Sequence, residues 1–412
     1  MSVTAAPARN GRTRVAAPSR RLRVAQVVTK FTAGAGGVTL LGALALDPDR
    51  YSTTIFAADG GSLTERAEAA GLPVVVVPSL ATGRGIYPRG DITAFRELSS
   101  QLAAGRFDLV HTNSAKAGAL GRLAARSVGV HGVVHTFHGF PFHSFQSRGV
   151  RGSLLTIERR LGRITDYFLA AGTVTAADAV RLRIARPERI RSIAPPIDVD
   201  ITTISRAERC EARALLGIPA EARVIGTTAR LDAQKAPLDL VAAFAALEQS
   251  DLHMVWIGDG ELRAKTERLI EQRGIRDRVH LVGSRTDVSR LLPAFDVFAM
   301  SSLYEGLPCA VAEAMASGVP VVATAVNSVP EIVLAGKTGL LARAGDPASL
   351  TAALAYMLDH RIEAARMAEA ARAHVGGRFR PEVFARDLAE AYELAVRFGS
   401  ERRRRQTTSG SE

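Results

Sequence analysis

Short apolar runs rich in β-branched residues alternate with Ala- and Leu-rich segments of helical period along the whole chain. In the first half the apolar runs predict strands at residues 23–28, 52–57, 74–77, 109–111, 133–136, 167–170 and 190–193. The segments between them predict helices, such as those at 92–104 and 117–127. Continuous apolar strands separated by helices are typical of a parallel sheet that is covered on both faces.

The alternation stops at Pro195 and Pro196, because neither a helix interior nor a central strand accommodates two adjacent prolines. It then resumes with predicted strands at 224–228, 253–257, 279–282, 297–300, 319–323 and 339–341, and with predicted helices at 238–247, 261–272, 308–317 and 349–358. The pattern therefore predicts an α/β protein with two doubly wound, Rossmann-like domains that face a cleft. In such sheets ligands bind beyond the carboxyl ends of the strands.

Length and composition agree with this architecture and restrict the setting. A chain of 412 residues fits two domains, and its two cysteines, Cys210 and Cys309, lack metal-ligand spacing, which indicates a reducing compartment. No apolar run approaches the about 18 residues that span a bilayer. Residues 1–20 are basic and lack the apolar stretch of a signal peptide, so we expect a cytoplasmic protein with a disordered leader. An organellar transit peptide is the alternative.

The net charge of +12 suggests an anionic partner. Nucleic acid is not expected as that partner, because the chain contains no helix-turn-helix, zinc-finger or aromatic RNA-binding motif. Anionic membrane lipid is the other candidate, since the basic leader and a basic, disordered tail predicted at 400–412 flank the folded body. Basic tails that only remain solvated are the alternative.

Residues 301–324, SSLYEGLPCAVAEAMASGVPVVAT, connect two predicted strands of the second domain through a helix. Pro308 is favoured in a first helical turn, so Glu305 should lie in the loop above the strand and Glu313 within the helix. The helix N-terminus suits a phosphate, and a carboxylate there can accept hydrogen bonds from sugar or ribose hydroxyls. A capped helix with two solvated glutamates is the alternative.

Two loops that follow the first predicted strand of each domain carry further candidates. Arg230 and Lys235 can converge on one diphosphate, although pairs of surface cations are common. Gly36 and Gly37 end a glycine-rich turn, which could let the protein backbone approach a ligand closely. A tight turn with no ligand is the alternative.

The segment from His135 to Phe140, HTFHGF, lies at the end of a predicted strand. A zinc site is one reading of this region, with four candidate ligands: His111, His135, His138 and His143. No carboxylate accompanies them at a fixed spacing, so we expect no bound metal. The two Asp-x-Asp triplets, 47–49 and 198–200, are explained by turn and linker chemistry.

Together these motifs resemble the family 4 retaining glycosyltransferases of GT-B fold. The resemblance covers most of residues 21–375, and it rests on the spacing of Glu305 and Glu313, of Arg230 and Lys235, and on HTFHG. The HTFHG segment and residues 108–128, DLVHTNSAKAGALGRLAARSV, are similar to the bacterial capsular and exopolysaccharide subgroup. This resemblance implies an acceptor-binding domain at 21–197, a nucleotide-sugar-binding domain at 198–378 and a helix at 379–399 that crosses back onto the first domain.

The resemblance also implies roles for individual residues. In the catalytic set, Glu305 and His138 contact the transferred sugar, and Arg230 and Lys235 neutralise the pyrophosphate that leaves. The implied donor-binding residues are the glycines Gly36 and Gly37, the backbone N–H groups of Gly306 and Leu307, and the ribose ligand Glu313. The chain departs from the family pattern where Asn113 replaces a histidine, where Ala236 follows Lys235 in place of glycine, and where Asn327 and Ser328 replace a glycine pair.

The expected reaction is metal-independent and needs no cofactor beyond a nucleotide-diphosphate sugar as donor. The nucleoside diphosphate leaves from the front face with retention at the anomeric carbon. A saccharide or polyprenyl-linked saccharide is the implied acceptor, at the cytoplasmic face of the membrane. The aromatic and arginine-rich segment after His138 suits contact with anionic lipid, or is a solvated helix face. A nucleotide-sugar epimerase and a non-catalytic sugar- or lipid-binding module are the alternative functions.

Overall fold

The computed structural model describes residues 20–32, 34–81, 88–143, 145–198 and 204–409. The predicted leader at 1–20 therefore lies outside the described residues except for Arg20. No helix in the described ranges is both long and apolar enough to cross a bilayer.

The first domain is a parallel sheet with helices between its strands. Its strands are β1 (Leu22–Val28), β2 (Tyr51–Ala57), β3 (Val74–Val76), β4 (Leu109–Asn113), β5 (Gly132–Phe137), β6 (Tyr167–Ala171) and β7 (Ile190–Ile193). Its helices are α1 (Ala35–Ala45), α2 (Thr64–Ala69), α3 (Pro88–Gly105), α4 (Ala115–Ser127), α5 (Arg148–Gly162) and α6 (Thr173–Arg181). The strand order is β3-β2-β1-β4-β5-β6-β7. The order reverses between β1 and β4, which is the position at which such sheets bind ligands.

The second domain repeats this plan. Its strands are β8 (Arg223–Thr228), β9 (Leu252–Ile257), β10 (Val279–Gly283), β11 (Val297–Met300), β12 (Val321–Thr324) and β13 (Leu340–Ala342), in the order β10-β9-β8-β11-β12-β13. Its helices are α7 (Arg206–Leu216), α8 (Pro237–Ala245), α9 (Arg263–Gln272), α10 (Val288–Leu291), α11 (Cys309–Ala316), α12 (Pro347–Asp359) and α13 (Arg361–Gly376). Here the order reverses between β8 and β11, so their C-terminal loops meet.

The last helix, α14 (Pro381–Ser409), packs on the first domain. The approach is close: a Cβ on Gly42 of α1 would lie 2.5 Å from a ring carbon of Phe384, and one on Gly399 would lie 1.7 Å from the carbonyl oxygen of His131. Tyr392 is fully buried between this helix and the sheet. The predicted fold class, two doubly wound domains with a C-terminal helix that crosses back, is confirmed.

The prediction of a disordered tail at 400–412 is wrong for residues 400–409, which continue α14. Arg402 donates to Oδ1 of Asp166 at 2.6 Å, and Arg126 donates to the other oxygen at 2.5 Å. The Asp166 side chain is fully buried, so its charge must be compensated by such partners. The helix therefore continues because an arginine of the basic run neutralises a buried carboxylate. Residues 410–412 lie outside the described residues.

The C-terminal ends of the two sheets face each other across a cleft. Gly306, after β11, approaches the first domain so closely that a Cβ on it would lie 2.1 Å from the carbonyl oxygen of His138. Similarly, a Cβ on Gly172, after β6, would lie 2.2 Å from Oγ of Ser328, after β12. The domains thus meet along the loops in which the sequence predicts ligand binding.

A candidate active site in the interdomain cleft

The centre of the candidate site is an ion pair between the ammonium of Lys235 and a carboxylate oxygen of Glu305. Lys235 lies in the loop after β8, and Glu305 lies in the loop after β11. Both side chains are largely buried, with 17% and 7% of their surfaces exposed. The loops are joined by one backbone hydrogen bond, from Leu303 N–H to Gln234 O at 2.8 Å, and by the side chain of Ser301, whose Oγ donates to Lys235 O at 2.8 Å. The predicted lysine and glutamate therefore share one site.

Gln234 connects Arg230 to the same cluster. The Gln234 amide nitrogen donates to Tyr304 O at 2.9 Å, and its amide oxygen accepts from the Arg230 guanidinium at 3.0 Å. Arg230 also forms an ion pair with Asp232 at 2.6 Å, and 54% of its side chain is exposed. The two terminal nitrogens of the guanidinium are thus held by Gln234 and by the buried Asp232, while the exposed part of the side chain remains accessible from solvent.

Ala236 follows Lys235 at the position where the family pattern cited above has glycine, and it adopts φ 45° and ψ 58°, the left-handed conformation. This conformation costs an L-residue about 1–2 kcal/mol, which explains the usual glycine. Ser301 Oγ donates to Ala236 O at 3.1 Å as well as to Lys235 O. The loop thus keeps the glycine-like geometry despite the substitution.

Glu313 lies in α11 as predicted, although the helix begins immediately after Pro308, one residue later than the predicted start, with Pro308 as its N-cap. Burial, reinforced by the nearby charge of Asp198, raises the pKa of the Glu313 carboxyl to about 7. Cys309 in the first turn is influenced by the charges of Glu313, Lys235 and Glu305, and its own pKa is raised to about 12, mainly by burial. The two predicted glutamates and the lysine therefore surround the start of α11, next to Gly306 and Leu307.

His138 faces this cluster from the first domain. It follows β5, its backbone touches Gly306, and its Nε2 lies 2.9 Å from the amide oxygen of Asn113. Burial lowers the pKa of His138 to about 4, so the imidazole is neutral at pH 7. Asn113, which replaces a histidine of the subgroup, hence positions the predicted catalytic histidine through a neutral partner.

Two of the four histidines in the zinc alternative make hydrogen bonds to other core side chains. His111 contacts Tyr392 Oη at 3.0 Å and Thr136 Oγ1 at 2.7 Å, and His135 contacts Thr112 Oγ1 at 2.8 Å. Within the described ranges, no group of three or more potential metal ligands occurs. His111 therefore uses both ring nitrogens, and His135 uses Nδ1, in hydrogen bonds within the core.

Gly36 and Gly37 lie at the start of α1, beyond the end of β1. A Cβ on Gly36 would approach Lys30 O to 2.8 Å, whereas one on Gly37 would meet nothing within 4 Å. In the described part of the chain, no hydrogen bond joins either residue to the Lys235–Glu305 pair. The tight turn accounts for Gly36, and the donor-binding role of both glycines stays a prediction.

The Asp-x-Asp triplets are consistent with turn and linker roles. Asp49 N–H donates to Asp47 Oδ1 at 2.9 Å within a turn, and Asp198 is ion-paired with Arg66. Residues 199 and 200 of the second triplet lie outside the described residues.

A contact that the sequence did not reveal joins the two domains beside the site. The carboxylate of Glu331, after β12, accepts from the backbone N–H groups of Thr173 and Val174 at 2.8 and 3.1 Å. Arg378 donates to its other oxygen at 3.3 Å. Although burial opposes ionisation, these hydrogen bonds lower the pKa of Glu331 overall. We call this contact the Glu331 bridge; it holds the N-terminus of α6 against the second domain.

This arrangement defines a two-domain glycosyltransferase of the GT-B class, and sequence comparison agrees. The model of Glycosyltransferase Family 4 matches residues 33–201, and that of Glycosyl transferases group 1 matches residues 208–374. The chain is 30% identical over 315 residues to D-inositol 3-phosphate glycosyltransferase of Xylanimonas cellulosilytica, covering 71% of this chain and 73% of that protein. The chain therefore belongs to the family 4 glycosyltransferases.

Two further similarities are informative. The UDP-Gal:alpha-D-GlcNAc-diphosphoundecaprenol alpha-1,3-galactosyltransferase of Escherichia coli is 28% identical over 324 residues, which cover 77% of this chain and 82% of that enzyme. The crystal structure of Anabaena HepE with UDP and glucose has a TM-score of 0.77 at 21% identity, covering 90% of this chain and 99% of HepE. The prediction of a glycosyltransferase is confirmed, and the epimerase and the non-catalytic module are not favoured.

Sequence reasoning did not assign a role to Gln234, Asn113 or Asn327, all of which contact predicted site residues. Asn113 and Asn327 both depart from the family pattern, and this departure was the sequence feature that could have drawn attention to them. Gln234 lies between Arg230 and Lys235, a position that the motif leaves open. The Glu331 bridge depends on how the domains meet, which no local pattern reports.

Proposed function

We propose that this enzyme transfers a hexose or N-acetylhexosamine from a UDP-sugar to a polyprenyl-diphosphate-linked saccharide, with retention and without a metal ion. The observation that carries the proposal is the Lys235–Glu305 pair, which lies beside the start of α11 and opposite His138. The names of the Escherichia coli enzyme and of the HepE complex support the UDP donor, and the former supports the lipid-linked acceptor.

In the proposed reaction the donor diphosphate lies between Lys235, Arg230 and the N-terminal end of α11. Positive charge at this position stabilises the charge that develops on the diphosphate as the bond from the anomeric carbon to its phosphate oxygen breaks. The acceptor hydroxyl oxygen forms the new bond on the same face, and its proton passes to the departing phosphate oxygen. Charge stabilisation by Lys235 and Arg230 takes the place of a divalent cation.

The other side chains bind and orient. Glu305, held by Lys235, accepts hydrogen bonds from hydroxyls of the transferred sugar, and Glu313 accepts from the ribose. Neutral His138 contacts the sugar near the reacting carbon without adding a charge. Gly306 leaves room for the His138 backbone, so the sugar is enclosed between the domains.

A direct assay tests this function. The full-length enzyme is incubated with UDP-galactose, UDP-glucose or UDP-N-acetylglucosamine and a synthetic polyprenyl-diphosphate-GlcNAc, with EDTA in a parallel series. We expect sugar transfer to the lipid that resists EDTA, and NMR of the product should show the anomeric configuration of the donor. Inverted product, loss of transfer in EDTA, or transfer only to soluble saccharides would each contradict the corresponding part of the proposal.

We also propose that α5 contacts an anionic membrane at the cytoplasmic face, where such an acceptor would be presented. Its sequence has a single acid, Glu158, which is buried in an ion pair with Arg122. Five arginines of α5 and its C-terminal cap are exposed: Arg148, Arg151, Arg159, Arg160 and Arg163. Beside them, Phe145 and Val150 are 60% and 51% exposed. Apolar side chains among cations suit the interface of an anionic bilayer.

Vesicle sedimentation tests this contact. Arg148→Glu combined with Arg151→Glu should weaken binding to phosphatidylglycerol vesicles at least roughly 30-fold, since each lost cation contributes about 1 kcal/mol. Arg268→Glu with Arg273→Glu makes the same charge change on exposed residues of the second domain and should have a smaller effect. Equal losses of vesicle binding in the two double variants would show that binding depends on the net charge of the protein and not on α5.

A further inference from the structure

The loop after β12 contains an asparagine with an unusual backbone conformation. Asn327 has φ 43°, a value that non-glycine residues rarely adopt. It is exposed and lies just beyond the C-terminal end of β12. Its side-chain Oδ1 accepts the backbone N–H of Glu305 at 2.9 Å. Asparagine tolerates the left-handed region better than most residues, so the conformation places an acceptor next to the Glu305 loop.

The Glu305 loop is held on its other side by Gln234, which donates to the carbonyl oxygen of Tyr304 at 2.9 Å. Lys235 then pairs with the Glu305 carboxylate. The peptide group between Tyr304 and Glu305 is therefore bound at both its oxygen and its N–H. Two side chains from different loops thus determine the position and orientation of one short segment.

Asn327 itself lies in a rigid segment. Val329 N–H donates to Val326 O at 2.9 Å, and Glu331 N–H donates to Ser328 O at 3.1 Å. Glu331, four residues after Asn327, forms the bridge to α6 of the first domain. The support for Glu305 is consequently anchored to the closed arrangement of the two domains.

We propose that Asn327 is a positioning residue that holds Glu305 where it meets the transferred sugar. The inference rests on the proposed function, in which Glu305 contacts that sugar. Asn327 acts through the Glu305 backbone and not on the substrate. Without it, the carboxylate would retain its lysine partner, but the loop that carries it would be free on one side.

The test compares steady-state kinetics of the full-length variants Asn327→Gly, Glu305→Gln and their combination in the transfer assay. Glycine adopts the same φ without strain, so Asn327→Gly removes the hydrogen bond and leaves the backbone conformation accessible. Asn327→Asp keeps an acceptor oxygen and serves as the conservative variant. Arg183→Gly is the matched control, because Arg183 also has positive φ, 57°, on an exposed turn after α6.

We expect Asn327→Gly to lower kcat by about tenfold to hundredfold, the usual effect of a small misplacement of a catalytic group, with the donor KM changed less than about twofold. Asn327→Asp should retain most of the activity, and Arg183→Gly should match the wild type. Because Asn327 acts through Glu305, the double variant should be no slower than Glu305→Gln by more than about threefold.

Wild-type kcat in Asn327→Gly, or losses that multiply in the double variant, would overturn the inference and leave the proposed function intact. Full activity in Glu305→Gln would instead remove Glu305 from the proposed function. Should Asn327→Gly melt at a much lower temperature than the wild type, Asn327→Asp and its own combination with Glu305→Gln decide the matter. Loss of kcat in Asn327→Asp that multiplies with that of Glu305→Gln in this second combination would then count against positioning.

Discussion

Lys235 and Glu305 lie 70 residues apart in the chain and form a largely buried ion pair between the loops after β8 and β11. The pair joins two elements of the same domain at the point where its strand order reverses. Glu305 thus holds the ammonium in the cleft before a substrate arrives. A diphosphate that enters can share this ammonium, whose other hydrogens remain able to donate.

Replacement of Lys235 by alanine should abolish most transfer while the fold is retained. We expect kcat to fall by about 10²- to 10³-fold, as for the loss of one preorganised group that stabilises developing negative charge. Turnover is measured with purified protein whose circular dichroism matches that of the wild type. Lys265→Ala, on the exposed face of α9, is the control and should be fully active. Near-normal turnover of a folded Lys235→Ala enzyme would remove Lys235 from the mechanism.

Glu313 should make nucleotide binding depend on pH near neutrality. Its pKa of about 7 lies above its ordinary value of 4.5, so a substantial fraction of the free enzyme carries a protonated carboxyl at pH 7. In its proposed role, ionised Glu313 is a stronger acceptor for ribose hydroxyls than the protonated carboxyl, so UDP should bind more tightly as pH rises from about 6 to 8. Calorimetric titration of UDP into wild type and Glu313→Gln isolates this contribution, because the ionisation of UDP is common to both. Parallel pH profiles would contradict it.

The same pKa shift predicts the direction of a stability change. Between pH 4.5 and about 7 the unfolded chain loses the Glu313 proton while the folded chain keeps it, so the free energy of unfolding decreases as pH rises. Above this range the contribution is constant. Glu313→Gln should therefore melt at a higher temperature than the wild type at pH 8 and show a smaller difference at pH 4.5. A separate variant, Glu313→Ala, should weaken donor binding by about 1.5–3 kcal/mol, and an unchanged dissociation constant in calorimetry would contradict the ribose role.

The strands were predictable because a parallel sheet buried on both faces requires continuous apolar runs. Each of the thirteen strands in the described part of the chain overlaps a predicted one. The pairing of Lys235 with Glu305 could be expected only through resemblance, since nothing local to either loop reports the other. The C-terminal tail was mispredicted for a related reason. A run of arginines resembles a solvated tail, and the buried carboxylate that orders it, Asp166, lies 236 residues earlier.

Loss of the Glu331 bridge should favour an open arrangement of the domains. Two hydrogen bonds from the start of α6 to a carboxylate stabilise the closed form by about 1.5–3 kcal/mol, so Glu331→Ala should raise the radius of gyration in small-angle scattering. The transfer kcat/KM should fall in parallel. Glu271→Ala, at an exposed position of α9, is the control. Superimposable scattering curves for Glu331→Ala and wild type would exclude this role.

The pH dependence of the bridge has the opposite sign to that of Glu313. Because the pKa of Glu331 is lowered in the folded protein, its stabilising contribution is present above the ordinary glutamate range. It is lost as pH falls through the lowered value. The radius of gyration of the wild type should therefore approach that of Glu331→Ala only at acid pH, and should differ from it at pH 7.

Ala236→Gly should stabilise the second domain without loss of activity. Removal of the methyl group relieves about 1–2 kcal/mol of left-handed strain, while the more flexible unfolded chain offsets about 0.4–1 kcal/mol of this gain. The melting temperature of that domain should rise by about 1–3 °C. Ala246→Gly, at an exposed residue with φ −81° that caps the opposite, C-terminal end of α8, relieves no strain and should lower the melting temperature. If both substitutions lower the melting temperature, the loop before α8 does not have the left-handed geometry that places Lys235 opposite Glu305.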